Sequence, residues 1–195
     1  MEQYKVQYKT IKLKNCDIRC HEMAKEAFDE SLVLNYQYKN NGQNSFMDIV
    51  SIIEPLHVIL DWKGYYNFFS GWYWFSQLNK CEDGEVNLLV YTPSYYEEPG
   101  ISREKIEMFS WAYMLSQNMK QLESTTYLAN FKNLVNKVPG KYINKLLSKE
   151  YLSSSNKFQM EKFCGKPRTS IANQQKKLPR IISNPRSPLD SVFRG

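Results

Sequence analysis

Residues 48–78 read DIVSIIEPLHVILDWKGYYNFFSGWYWFSQL, and this stretch decides the fold. Two short apolar runs, Ile49–Ile53 and Leu56–Leu60, are parted by Glu54 and Pro55. A turn at Asp61, Trp62, Lys63 and Gly64 leads into an aromatic run, Tyr65–Phe69. Runs this short, rich in Ile, Val and aromatic side chains and bounded by Pro and Gly, predict strands rather than a helix. Ser70 and Gly71 break the last strand, and Trp72–Leu78 continues as a helix. A strand that ends in Gly at a helix start turns backbone N–H groups outward, a geometry suited to an anion, so Ser70 and Gly71 are the candidate anion-binding residues.

Upstream of this stretch, Tyr4, Val6, Tyr8, Ile11 and Leu13 alternate with lysines within Met1–Asn15, which predicts an edge strand or hairpin arm. Cys16–Ser31 has helical spacing, with Ala24, Ala27 and Phe28 on one face, and Leu32–Tyr36 is expected to be a strand. Tyr38–Ser45 is a loop by composition. Downstream, Lys80–Gly84 forms a turn and Val86–Tyr91 a strongly apolar strand closed by Thr92 and Pro93. Strands, loop, helix and strand in this order predict an α+β fold with a small mixed sheet over residues 1–100. Glu97 and Glu98 lie in a Pro/Gly loop, where neighbouring carboxylates are solvated rather than convergent on a reacting atom.

A helical part is expected over residues 101–178. Ser102 is placed to cap a helix whose buried stripe is Ile106, Phe109, Ala112, Tyr113, Ser116 and Met119, widened by Trp111 and Met114. Tyr127, Leu128, Phe131, Leu134 and Val135 make a second face, stopped by Val138, Pro139 and Gly140; Tyr142, Ile143, Leu146 and Leu147 make a third. Lys141, Lys145 and Lys149 recur every four residues, so one helix would carry them as a ridge along a phosphate backbone. Beyond Ser153–Asn156, Lys157–Cys164 is a short helix, Gly165 a tight turn and Thr169–Leu178 a second helix. This succession resembles a helix-turn-helix, with Ile171 in the position that buries an aliphatic. Glu161 stands where the motif favours a small residue, and Gln174 where it favours a second aliphatic. Lys166, Arg168, Thr169, Ser170, Asn173, Gln174, Lys177 and Arg180 are the candidate DNA contacts: Arg suits guanine, Asn and Gln suit adenine, and hydroxyls suit phosphate. Residues 179–195 hold three prolines and read as a flexible tail.

Charge divides the chain in the same place. Residues 132–195 contain 14 Lys and Arg against 3 Asp and Glu, a net +11, whereas residues 1–131 contain 12 against 17, a net −5. A basic rear half points to a polyanionic partner, because cations placed at phosphates release condensed counterions. Cys16, Cys20, Cys81 and Cys164 are few and scattered, which suits reduced thiols, and Cys16, Cys20 and His21 lack a second ligand pair at zinc spacing. His57 sits within an apolar run, where a hydrogen-bonded structural histidine is expected. No apolar run reaches membrane-spanning length and the first residues lack an apolar signal core, so a cytoplasmic protein without membrane association is expected.

The order of Pro55, Val58, Gly64, Tyr65, Ser70 and Gly71, followed by an amphipathic helix, resembles the N-terminal domain of the ParB/sulfiredoxin superfamily over roughly residues 45–95. That resemblance implies a degenerate phosphate-binding loop, with CTP or ATP as the class of ligand. The sequence departs from it where Trp72, Tyr73, Trp74 and Phe75 follow the glycine in place of basic residues, leaving no cation for a phosphate. It also implies a function: a ParB-like transcriptional regulator or plasmid-partition accessory protein of a mobile element that binds duplex DNA. No catalytic residues are assigned, since no Asp, Glu or His set clusters in the sequence, and a homodimer is expected because one short reading helix covers few base pairs. Two alternatives stand beside it: a nuclease or nucleotide hydrolase of the same superfamily, and a protein-interaction module that inhibits a nucleic-acid enzyme by exposing the aromatic cluster Tyr65–Phe75.

Overall fold

A computed structural model describes residues 5–37, 54–75, 84–93, 100–119 and 127–177. The first apolar run, Ile49–Ile53, the loops after Tyr38 and around Glu97 and Glu98, and the tail lie outside the described residues. Five strands form one mixed sheet: β1 (Val6–Lys12), β2 (Ile18–Cys20), β3 (Leu56–Leu60), β4 (Tyr66–Ser70) and β5 (Glu85–Tyr91). Their spatial order is β1-β5-β3-β4-β2. β1 runs antiparallel to β5, with Val6 opposite Tyr91 and Lys12 opposite Glu85. β3 lies parallel to β5 and antiparallel to β4, with an irregularity between His57 and Val58. The chain is therefore α+β, with a mixed sheet followed by helices.

The near-continuous apolar character of β3 follows from its central place, since a strand covered on both faces has no solvated side to make polar. Leu56 and Val58 belong to the main core, while Ile59, one residue on and therefore on the opposite face, joins Ala24, Phe69, Ile101 and Ile106 in a smaller one. The hairpin between β3 and β4 is tied by Asp61. Its carboxylate accepts from the backbone N–H groups of Lys63 (2.9 Å) and Tyr65 (3.0 Å) and from the Asn67 amide (3.3 Å). Gly64 supplies the positive φ, +86°, that closes the turn.

Two expectations upstream are corrected. Cys16–Ser31 is not one helix: Ile18–Cys20 is strand β2, laid parallel on the otherwise open edge of β4 with Ile18 opposite Tyr66. Backbone N–H and C=O groups of β4 need partners, and this demand outweighs the local helical spacing. Helix α1 (Lys25–Gln37) starts after a 3-10 turn at Glu22–Ala24, which the His21 ring opens by accepting from the Met23 N–H at 3.1 Å. It then runs through Leu32–Tyr36, expected to be a strand. Packing explains this: Phe28 meets Phe68 and Trp72 edge-on at 5.0 and 5.6 Å, and Ser31 accepts from the Trp72 indole N–H at 3.0 Å.

After α2 (Trp72–Phe75) come α3 (Arg103–Met119), α4 (Tyr127–Lys137), α5 (Gly140–Leu146), α6 (Met160–Cys164) and α7 (Arg168–Lys177). Ser102 caps α3 as expected, accepting from the Lys105 N–H at 3.3 Å. The buried face of α3 is rotated from the expected stripe to Ile106, Ser110, Trp111, Met114, Leu115 and Asn118, while Met119 is exposed. Two polar residues can sit there because each finds a backbone acceptor: the Ser110 hydroxyl lies 2.8 Å from the Phe69 and Ile106 carbonyls, and the Asn118 amide donates to the Met114 carbonyl at 2.7 Å. Pattern counting scores both as solvent-facing. Trp111, Met114 and Leu115 share one core cluster with Leu56, Val58 and Leu88 of the sheet and with Leu128, Phe131, Met160 and Ile171 of the later helices. This cluster has members on both sides of residue 100. Within the aromatic cluster Phe68, Phe69 and Trp72 are fully buried, and Tyr65, Tyr66 and Tyr73 half-buried, so these three buried rings are core rather than an exposed docking patch.

Candidate nucleic-acid interface

The segment that the charge division singles out is built on α4. Phe131 of α4 stacks on Phe163 of α6 at 5.5 Å and 12°, and Tyr151 meets Phe163 edge-on at 5.1 Å. A turn at Ser153–Asn156, closed by the bridge of Leu152 with Phe158, brings the chain into α6. Gly165 then ends α6 in the left-handed region at φ +64°. Lys166 and Pro167 carry the chain into α7, and the Pro167 carbonyl accepts from the Ser170 N–H at 3.0 Å. Ile171 is 1% exposed and anchors α7 in the main core. One buried aliphatic on a short helix fixes which side remains outside.

That outer side carries Arg168, Thr169, Asn173 and Lys176, all exposed, with Lys166 exposed in the turn before it. Ser170 is half-buried. Gln174 departs from the expected base-reading role: it is half-buried, and its side-chain oxygen is shielded from solvent without a hydrogen-bond partner. It follows Ile171 by nearly one turn and so shares its inward side. Lys177 is the last residue of α7 and its side chain is outside the described residues, as is Arg180.

The lysine ridge is not formed. Helix α5 stops at Leu146, and Lys149 belongs to a separate 3-10 turn, Lys149–Tyr151, so the four-residue spacing is interrupted. Lys141 pairs with Glu107 at 2.8 Å and Lys145 with Glu104 at 3.1 Å, both carboxylates being on the first turns of α3. The buried Tyr142 between them donates its hydroxyl to Glu107 at 2.7 Å, and the two ammonium groups lie 4.7 and 5.9 Å from its ring centroid. The Glu107 carboxylate, followed by the Tyr142 hydroxyl, holds the Lys141 ammonium above its ordinary range. These lysines serve the joint between α3 and α5. Lys137 is engaged in the same way, by Glu30 at 3.0 Å.

By contrast, Lys149, Lys157, Lys162, Lys166, Arg168 and Lys176 are exposed and have no ion pair among the described residues. Lys157, Lys162 and Lys176 were not singled out from sequence, although the charge excess of residues 132–195 includes them. What distinguishes these cations is that no carboxylate among the described residues pairs with them, although Glu150 adjoins Lys149 and Glu161 adjoins Lys162, and this depends on the tertiary arrangement.

Gly71 is buried in the turn between β4 and α2. Ser70 is buried, and a Cβ added to Gly71 (φ +80°) would stand 2.4 Å from the Pro55 carbonyl oxygen. The glycine is therefore required by the close approach of two backbones. The Tyr73 N–H, at the start of α2, donates to the Tyr113 hydroxyl at 3.0 Å, so a protein oxygen occupies the place expected for an anion. His57 is paired with Tyr91, Nδ1 to hydroxyl oxygen 2.9 Å, with the rings stacked at 5.5 Å; burial lowers it to about 4 and keeps it neutral. Among the described residues no three His, Cys, Asp or Glu side chains converge as a metal site, and no helix is long and apolar enough to cross a membrane. Compared with known proteins, the chain matches no family model, no curated protein and no solved structure.

Proposed function

We propose that the chain binds duplex DNA through α6, the Gly165 turn and α7, as a cytoplasmic ParB-like transcriptional regulator or partition-type accessory protein of a mobile element. One observation carries the reading: Ile171 anchors α7 in the core while Arg168, Thr169 and Asn173 stand on its outer side, among cations that pair with no carboxylate among the described residues. Arg and Asn at the beginning and middle of a helix suit guanine and adenine edges in the major groove, and Lys166, Lys162 and Lys149 suit the flanking phosphates. A helix of this length covers few base pairs, so a homodimer on paired half-sites completes the site. The ParB-like part of the reading rests on the resemblance carried by Pro55–Gly71.

The test is selection from a random-sequence duplex pool at two salt concentrations. A palindromic or paired motif is expected to be enriched, with affinity falling steeply as salt rises. Retention of no duplex even at low salt overturns the reading.

A further inference from the structure

A second surface combines cations and aromatic rings, on the opposite half of the chain from α7 in sequence. It is the β3–β4 turn. Trp62 at its tip is 80% exposed, the most exposed of the large hydrophobic residues among those described. Burying an indole is a large favourable term, and the turn itself needs only Asp61 and Gly64, so nothing in the fold demands Trp at this position. The turn is also stiff, since Asp61 gathers two backbone N–H groups and the Asn67 amide, and the Gly64 N–H donates to the Asp61 carbonyl at 3.1 Å. Lys63 lies 4.8 Å from the Trp62 ring centroid. Beside them the Arg19 guanidinium stacks 3.5 Å over the Tyr65 ring, with half its side chain exposed and Asp17 3.8 Å away. The Asp61 carboxylate is hydrogen-bonded to the turn and Arg19 has Asp17 beside it, so Lys63 is the cation at the exposed ring and Arg19, over Tyr65, a second one on the neighbouring strand.

We infer that this tip binds single-stranded nucleic acid, a base stacking on Trp62 while Lys63 and Arg19 meet the flanking phosphates. Each base has a π face, so such a platform is indifferent to sequence, and its cations make it salt-sensitive. A stiff turn suits the role because a ring already held in place loses little freedom on stacking. This contact is independent of α7 and of duplex recognition.

The experiment titrates the full chain with oligothymidylate of about 20 nucleotides, which forms no duplex, following labelled-oligonucleotide anisotropy and tryptophan fluorescence. Wild-type protein is expected to bind with quenched emission. Trp62→Ala is expected to weaken binding roughly 5- to 100-fold and to lose most of the quenching, with Trp62→Phe recovering part of the affinity. Trp62→Ala is expected to bind the selected duplex as wild type does, so the duplex reading and this inference fail separately: loss of duplex binding alone leaves the oligothymidylate result untouched, and the reverse also holds. Should a Trp62 variant fold poorly, acrylamide quenching of the wild-type protein decides: bound oligothymidylate must shield the accessible tryptophan. Equal affinity of Trp62→Ala and wild type, no binding by wild type, or an unshielded tryptophan overturns the inference.

Discussion

At Gly71 the backbone turns through φ +80° so close to Pro55 that the missing Cβ would overlap the Pro55 carbonyl oxygen. Gly71→Ala is therefore expected to lower stability by about 1–3 kcal/mol through strain alone, read as a fall in the urea midpoint. An unchanged midpoint would mean that Pro55 yields freely. Such a substitution cannot serve as a clean probe of nucleotide binding, because it disturbs the β3–β4 pairing itself. His57 supplies a pH dependence with a definite sign. Its folded value, about 4, lies below the ordinary 6.5, so the unfolded chain takes up the proton first as pH falls. Its neutral burial is compatible with full stability above about pH 6.5, and stability declines as pH drops toward about 4. The linked loss is on the order of 1–3 kcal/mol, and His57→Gln should flatten that portion of a stability profile measured between these limits. A profile equally steep in the variant would assign the dependence to other groups.

Among elements, the joint between α3 and α5 is the clearest case of charge used for assembly rather than recognition. Tyr142 is buried, and its hydroxyl reaches Glu107. Tyr142→Phe should cost about 0.5–1.5 kcal/mol in chemical denaturation, because Glu107 retains Lys141 as a partner. DNA affinity should not change. The lysines themselves separate the two roles of the basic half. Lys141→Ala and Lys145→Ala should leave the dependence of DNA affinity on salt unaltered, whereas Lys166→Ala and Arg168→Ala should each flatten its logarithmic slope by about 0.9. A flattened slope in Lys141→Ala would return that residue to the interface. For α7, Arg168→Ala is also expected to relax base preference at one position, with roughly 5- to 100-fold weaker binding to the selected duplex.

For the molecule as a whole, one core cluster includes Leu56, Val58 and Leu88 of the sheet, Trp111 of α3, Phe131 of α4 and Ile171 of α7. Sheet and helices should therefore melt together, and near-UV circular dichroism, reporting aromatic packing, should lose signal in the same transition as far-UV helicity. Two separated transitions would instead restore the boundary near residue 100. The continuous core also means that α7 is presented by the same body that holds the sheet.

Local chemistry was enough to read β3, β4, β5, the Ser102 cap, the Gly165 turn and the buried Ile171, because each depends on the residue itself and its immediate neighbours. Short β-branched and aromatic runs, glycines at positive φ and a single aliphatic at the right offset carry their structural meaning within a few residues. The charge division of the chain was legible for the same reason, as a count along the sequence. Four features depended on tertiary structure: that Cys16–Ser31 contributes a strand to the edge of β4, that Leu32–Tyr36 stays helical, that Ser110 and Asn118 face inward, and that Lys141 and Lys145 are held by Glu107 and Glu104. The deciding partners of the edge strand, of Ser110 and of the two lysines lie far away in sequence. Which cations remain for a polyanion is set by which carboxylates the fold brings beside the others.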